Sequence, residues 1–190
     1  MSAEPMTTHQ SALTEDDVRR IVKEELGAAL KKDPGMRTGA IVASKGTLDW
    51  AYPPLILASA AAAVGMQVGI FFTFYGLNVI HKDFERKLKV DAVGNPAMPM
   101  PVPMPDLVTA MPGMVTVASK MMKKKFADKN VATIGELLET CREMEVRLIA
   151  CQMTVDVFGY EQTDFIEGVE FGGAAAFMAD ARKSNLTLFI

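Results

Sequence analysis

Met66-Gln67-Val68-Gly69-Ile70-Phe71-Phe72-Thr73-Phe74 is β-branched, aromatic and almost unbroken in its apolarity. A strand covered on both faces of a parallel sheet reads this way, whereas a half-exposed strand alternates. Upstream, Leu48 to Val64 is an Ala-rich helix, its regular part confined by Pro53 and Pro54 to about Leu55 onward, and Gly65 ends it. Before that helix, Ala40-Ile41-Val42-Ala43 is a short apolar strand closed by the turn Lys45-Gly46-Thr47. Strand, helix, strand is a βαβ unit, and its crossover should be right-handed.

Leu55 to Ile80 carries no charged residue and is long enough to cross a bilayer of roughly 30 Å, so membrane association through 55–80 is the competing reading. Gly65 divides an Ala-rich half from an aromatic half, and Gln67 and Asn78 lie inside the stretch. That division fits helix then strand better than one spanning helix.

Downstream, residues 94–113 hold six of the chain's ten prolines, interleaved with Met98, Met100, Met104 and Met111. This is an extended Pro/Met-rich loop insertion, neither helix nor inner strand. Val115 to Ala127 is a helix bearing Lys120, Lys123, Lys124 and Lys125, a solvated face or a docking patch for an acidic partner. Thr133 with Glu136 makes a capping box for the next helix, whose apolar side carries Ile134, Leu137, Leu138, Cys141 and Met144. Val146 to Cys151 is another buried strand. A short helix over Glu161 to Ile166, an extended Val169-Glu170-Phe171, a helix from Ala174 to Lys183 and a strand from Leu186 to Ile190 complete the pattern. The alternation predicts an α/β domain over 38–190, a mainly parallel sheet flanked by helices, with chemistry beyond the carboxyl ends of its strands. Residues 1–37 form a flexible tail and an amphipathic helix over 14–32 that Thr14 can cap.

Apolar residues at 49% and charged residues at 23% are ordinary for a folded domain. A net charge of −3 offers no global field for nucleic acid. Met1 to Lys32 lacks the pattern of a secretory signal, which points to the cytoplasm and to reduced cysteines.

Cys151 is the leading candidate for chemistry. It ends a strand and precedes a turn that begins a helix, where backbone N–H groups favour thiolate; the bland alternative is a packed cysteine. Cys141 lies on the apolar side of the preceding helix, where packing is expected. It is a candidate resolving thiol only if the two sulfurs reach bonding geometry. His9 and His81 indicate no metal cluster and no Cys-His pair, so neither metal nor cofactor is expected.

Gly46-Thr47-Leu48-Asp49, Phe72-Thr73-Phe74-Tyr75-Gly76-Leu77, Met121-Met122-Lys123-Lys124-Lys125, Leu148-Ile149-Ala150-Cys151-Gln152-Met153-Thr154 and Gly172-Gly173-Ala174 together resemble the DsrE/DsrF-like family. They resemble most its longer branch, often labelled peroxiredoxin family, over about Thr38 to Ile190. The resemblance implies a DsrE-like sheet, self-association as a homo-oligomer, and a cysteine, matched by Cys151, that accepts sulfane sulfur as a persulfide and passes it on. Expected partners are a TusA-like sulfur carrier and a rhodanese-like protein. The alternatives are a non-catalytic oligomeric scaffold or regulatory binding protein and a thiol peroxidase, although no Pro-x-x-x-Thr-x-x-Cys arrangement is present.

Overall fold

The computed structural model describes residues 37–90 and 113–190. The expected helix over 14–32 and nearly all of the Pro/Met-rich loop, 94–112, lie outside the described residues. Five strands form one parallel sheet: β1 (Thr38–Ala43), β2 (Gln67–Phe72), β3 (Arg147–Cys151), β4 (Val169–Gly172) and β5 (Leu186–Phe189), in the order β4-β3-β2-β1-β5. Helices α1 (Leu48–Ala63), α2 (Phe84–Lys87), α3 (Met114–Asp128) and α4 (Ile134–Glu143) precede β3; α5 (Gln152–Phe158) and α6 (Ala174–Ala181) follow it. The mainly parallel α/β sheet expected from the sequence is the one observed.

Strand alternation sorts the core into two layers. Val68, Ile70 and Phe72 of β2 and Leu148 and Ala150 of β3 join the larger cluster with Leu48, Leu55, Ile134, Leu138 and Cys141. Phe71, Ile149 and Cys151 point to the other face, where Ala40, Phe177 and Ala181 complete a smaller cluster. On that face Phe177 of α6 stacks on Phe71 with centroids 4.7 Å apart. Arg147 ties α6 and β4 together, pairing with Glu170 at 2.7 Å and Asp180 at 3.0 Å. These groups are half exposed, so the pairs add little beyond fixing orientation.

Three expectations about the elements are corrected. Helix α1 begins at Leu48 as expected but is regular from there rather than only from about Leu55, with Pro53 and Pro54 inside it. Its first turn is anchored by the Leu48 N–H, which donates to the Lys89 carbonyl at 2.9 Å. Leu48, Ala51, Leu55 and Ala58 recur at helical spacing and are fully buried, so packing outweighs the two hydrogen bonds the prolines remove. The strand expected to run through Phe74 stops at Phe72, and Phe74–Val79 forms a 3-10 turn. Leu77, Val79 and Ile80 are buried there, so the apolar run continues because it closes the end of the core. Glu161 to Ile166 is not a helix but a 3-10 turn at Gln162–Asp164 with a reciprocal Glu161–Asp164 cap. The capping box of Thr133 and Glu136 is present as expected.

Among the described residues no helix is long and apolar enough to cross a membrane. The uncharged stretch 55–80 is divided between the end of α1, β2 and the 3-10 turn.

Candidate functional site around Cys151

Cys151 is the last residue of β3 and the N-cap of α5, with φ −68° and ψ 108°. The abrupt change from strand to helix places the Met153 and Thr154 amides in the first turn beyond the sulfur. Thr73 approaches from the end of β2, the strand paired with β3. Its hydroxyl lies 3.3 Å from the Thr154 hydroxyl, and the Phe74 N–H donates to Thr154 Oγ1 at 3.3 Å. The thiol form closes no capping hydrogen bond with α5. Burial by itself pushes the Cys151 thiol up. Hydrogen bonding to the thiolate from the Thr154 hydroxyl, the Thr154 N–H, the Thr73 hydroxyl and the Met153 N–H outweighs it, and the pKa falls below the ordinary thiol value. The arrangement therefore makes the Cys151 thiol more acidic than an ordinary one, a shift toward the thiolate that attacks sulfur.

Phe74 adopts φ +48°, which an aromatic residue rarely does. This left-handed step turns the chain from β2 into the 3-10 turn and aims the Phe74 N–H at Thr154. The turn is held from below by a close backbone crossing: a Cβ on Gly76 would collide with the Ala43 carbonyl, and one on Gly46 with the Tyr75 carbonyl. Only glycine permits the two loops to pack backbone to backbone.

Cys141 is fully buried on α4, on the opposite face of the sheet, and its Sγ donates to the Leu55 carbonyl at 3.6 Å. Burial without compensating donors pushes its thiol up to about 11. The structure thus assigns the two cysteines to separate clusters rather than bringing them together. Lys120, Lys124 and Lys125 are exposed on α3, whereas Lys123 is half-buried and donates to the Glu85 carbonyl at 3.1 Å, joining α3 to α2. None of the four is among the groups that lower the Cys151 pKa. His81 is buried, with Nδ1 accepting from the Asp83 N–H at 2.9 Å; burial and the Lys87 ammonium hold its pKa below the usual imidazole value.

The roles of Thr73 and Thr154 were not assigned from sequence. The available signal was spacing: Thr154 is the third residue after a strand-end cysteine, the place whose amide and side chain face an N-cap group. Thr154→Val should slow sulfur loading about threefold near neutral pH. A hydrogen bond to a charged group contributes about 1.5 kcal/mol or more, near a tenfold effect, and the greater nucleophilicity of a less stabilised thiolate returns about half of it. The pH–rate profile should move to higher pH, with the variant overtaking the native chain in alkaline solution; stopped-flow loading across pH checks this. An unshifted profile would remove Thr154 from the account.

Comparison with known proteins bears on the family and the fold. The chain is 54% identical over 155 residues, 80% of its length and 96% of the relative's, to a protein of Allochromatium vinosum named sulfur carrier protein DsrE2. It is 31% identical over 153 residues, 79% and 94% of the two chains, to YrkE of Bacillus subtilis, a protein without an assigned role. Its fold is similar to that of the ychN protein from E. coli, with a TM-score of 0.50 at 15% identity, over 82% of this chain and 100% of that one. The DsrE/DsrF/DrsH-like family profile matches residues 36–189. A parallel five-stranded sheet and a match across the whole sheet domain agree with the resemblance drawn from the sequence, and the chain belongs to the DsrE/DsrF/DrsH-like family.

Proposed function

We propose that this protein is a sulfur carrier that accepts sulfane sulfur as a persulfide on Cys151 and passes it to a partner thiol. The observation that carries the reading is the set of four donors converging on Cys151, while Cys141 is left with a thiol pKa raised to about 11. The similarity to a protein named as a sulfur carrier supports it. In loading, the Cys151 thiolate attacks the outer sulfur of a donor persulfide. A new S–S bond forms, the donor's S–S bond breaks, and the electron pair leaves with the donor thiolate. Unloading is the same exchange with an acceptor thiolate, so no oxidant, metal or cofactor is required. Cys151 acts alone in this scheme, and Cys141 serves packing rather than resolution.

The partners proposed are a rhodanese-like donor and a TusA-like acceptor in the cytoplasm. Self-association is proposed through the sheet face that α6 only partly covers, where Met178 and Phe189 remain 60% and 77% exposed. Transfer between proteins tests the reading. Protein loaded with polysulfide, desalted and mixed with a TusA-like carrier should lose about 32 Da as the carrier gains it; a carrier that gains nothing would refute the relay. Lys120, Lys124 and Lys125 are proposed to steer the partner, with Lys123 contributing charge from its tether. Raising ionic strength to about 1 M, where the Debye length is about 3 Å, should then slow protein-to-protein transfer several-fold and leave loading by polysulfide nearly unchanged. Equal slowing of both steps, or of neither, would remove the steering role.

A further inference from the structure

At the far end of α5, the helix that Cys151 caps, Tyr75, Asn78, Lys87, Phe158 and Tyr160 line an open groove of about 420 Å3. Lys87 is the charged residue of its lining. The Lys87 ammonium donates to the Tyr160 hydroxyl at 2.8 Å and lies 4.6 Å from the centre of that ring. Among the described residues no carboxylate pairs with it, and the nearby Asp83 is taken by Arg86 at 3.0 Å. The Tyr160 oxygen accepts from Lys87, which leaves its own O–H free to donate. Among the described residues the Asn78 amide likewise closes no side-chain hydrogen bond. Tyr75 and Phe158 supply the walls, with ring centroids 5.8 Å apart, and Phe158 meets Tyr160 edge-on at 5.9 Å.

One cation with two neutral donors in an aromatic setting matches a single carboxylate on an organic stem. A phosphate would bring more charge than Lys87 offsets, and a bare inorganic ion would leave the aromatic walls unused. The groove is reached along the helix that Cys151 caps. Phe158 lies seven residues beyond Cys151 on α5, about 10 Å along the helix at 1.5 Å per residue. An extended peptide covers about 10 Å in three residues.

We propose that this groove binds the carboxylate end of a small peptide thiol of about three residues, whose persulfide delivers its outer sulfur to Cys151. The proposal rests on the carrier reading of Cys151 and names a low-molecular-weight donor for it. The exchange balances: Cys151–S⁻ and R–S–S–H give Cys151–S–S–H and R–S⁻, the proton staying on the transferred sulfur. The carboxylate on R stays paired with Lys87 throughout.

Binding can be separated from sulfur chemistry with S-methylglutathione, which has the carboxylates but no reactive thiol. Calorimetric titration of the full chain should give saturable binding. Lys87→Met and conversion of the ligand's carboxylates to ethyl esters should each weaken it about tenfold; Lys87→Arg should restore most of it. Tyr160→Phe, which keeps the ring, should weaken it less. With glutathione persulfide, Lys87→Met should load Cys151 about tenfold more slowly than the native chain, while polysulfide loads both alike. Absence of saturable binding, or equal binding of acid and ester, would overturn the groove even if polysulfide loads Cys151. Binding that depends on Lys87 in a protein whose Cys151 never takes up sulfur would instead retain the groove and refute the carrier reading on which its donor role rests.

Discussion

Replacing Cys151 by serine is expected to abolish sulfur loading and relay to the limit of detection while leaving the fold in place. The serine hydroxyl fills nearly the same space and accepts from the same Thr73 and Thr154 donors, so the buried site loses no hydrogen-bond partner. A change of about 1 kcal/mol moves the melting temperature of a domain this size by roughly 2–4 °C. What disappears is the nucleophile, because a serine hydroxyl is far less acidic and less nucleophilic than a thiol whose pKa is already lowered. Thermal denaturation and loading assays on the same preparation separate the two effects. A Cys151→Ser protein that still relays sulfur would leave the scaffold reading as the better one, and loading lost only together with the fold would show a structural cysteine.

The largest effect on stability is expected from Gly76→Ala. The added methyl group meets the Ala43 carbonyl and the carbon behind it, both backbone, so no side chain can swing aside. The Gly76 N–H also donates to the Ser44 and Thr73 carbonyls, at 3.2 and 3.0 Å, and these bonds hold the turn in register with β1. Forcing the two loops apart should cost on the order of 3 kcal/mol, a loss of roughly 10 °C in melting temperature. The same displacement withdraws Thr73 and the Phe74 amide, so Cys151 loading in the surviving folded protein should slow as well. Gly69→Ala is the control: a methyl group on β2 meets only Ile149 Cδ1 at 3.6 Å and Arg147 Cβ at 4.0 Å, which is ordinary contact. Equal melting temperatures for the two variants would contradict the backbone crossing.

The fold was legible where periodicity and capping chemistry carry it. The continuous apolarity of Val68 to Phe72 identified a strand buried on both faces, and Thr133 with Glu136 marked the start of α4. Local rules failed where tertiary contacts decide. The prolines at 53 and 54 do not delimit α1, since its buried stripe begins at Leu48. The run from Phe74 to Ile80 is as apolar as β2 yet leaves the sheet, because Phe74 turns left-handed and Gly76 must cross Ala43. At the site, the strand-end position singled out Cys151, but its donors come from the end of β2 and the start of α5, which meet only in three dimensions. Thr73 and Cys151 are distant in sequence and adjacent through the pairing of β2 with β3. The separation of Cys141 from Cys151 was equally hidden, since ten residues of sequence do not say which face of the sheet each thiol joins.

Intact-protein mass spectrometry with peptide mapping, after incubation with polysulfide and desalting, tests the carrier account most directly. Native chain and Cys141→Ser should each gain about 32 Da, located on the peptide containing Cys151, and Cys151→Ser should gain nothing. Sulfur found on Cys141, or no gain by the native chain from polysulfide or from a loaded partner protein, would contradict it.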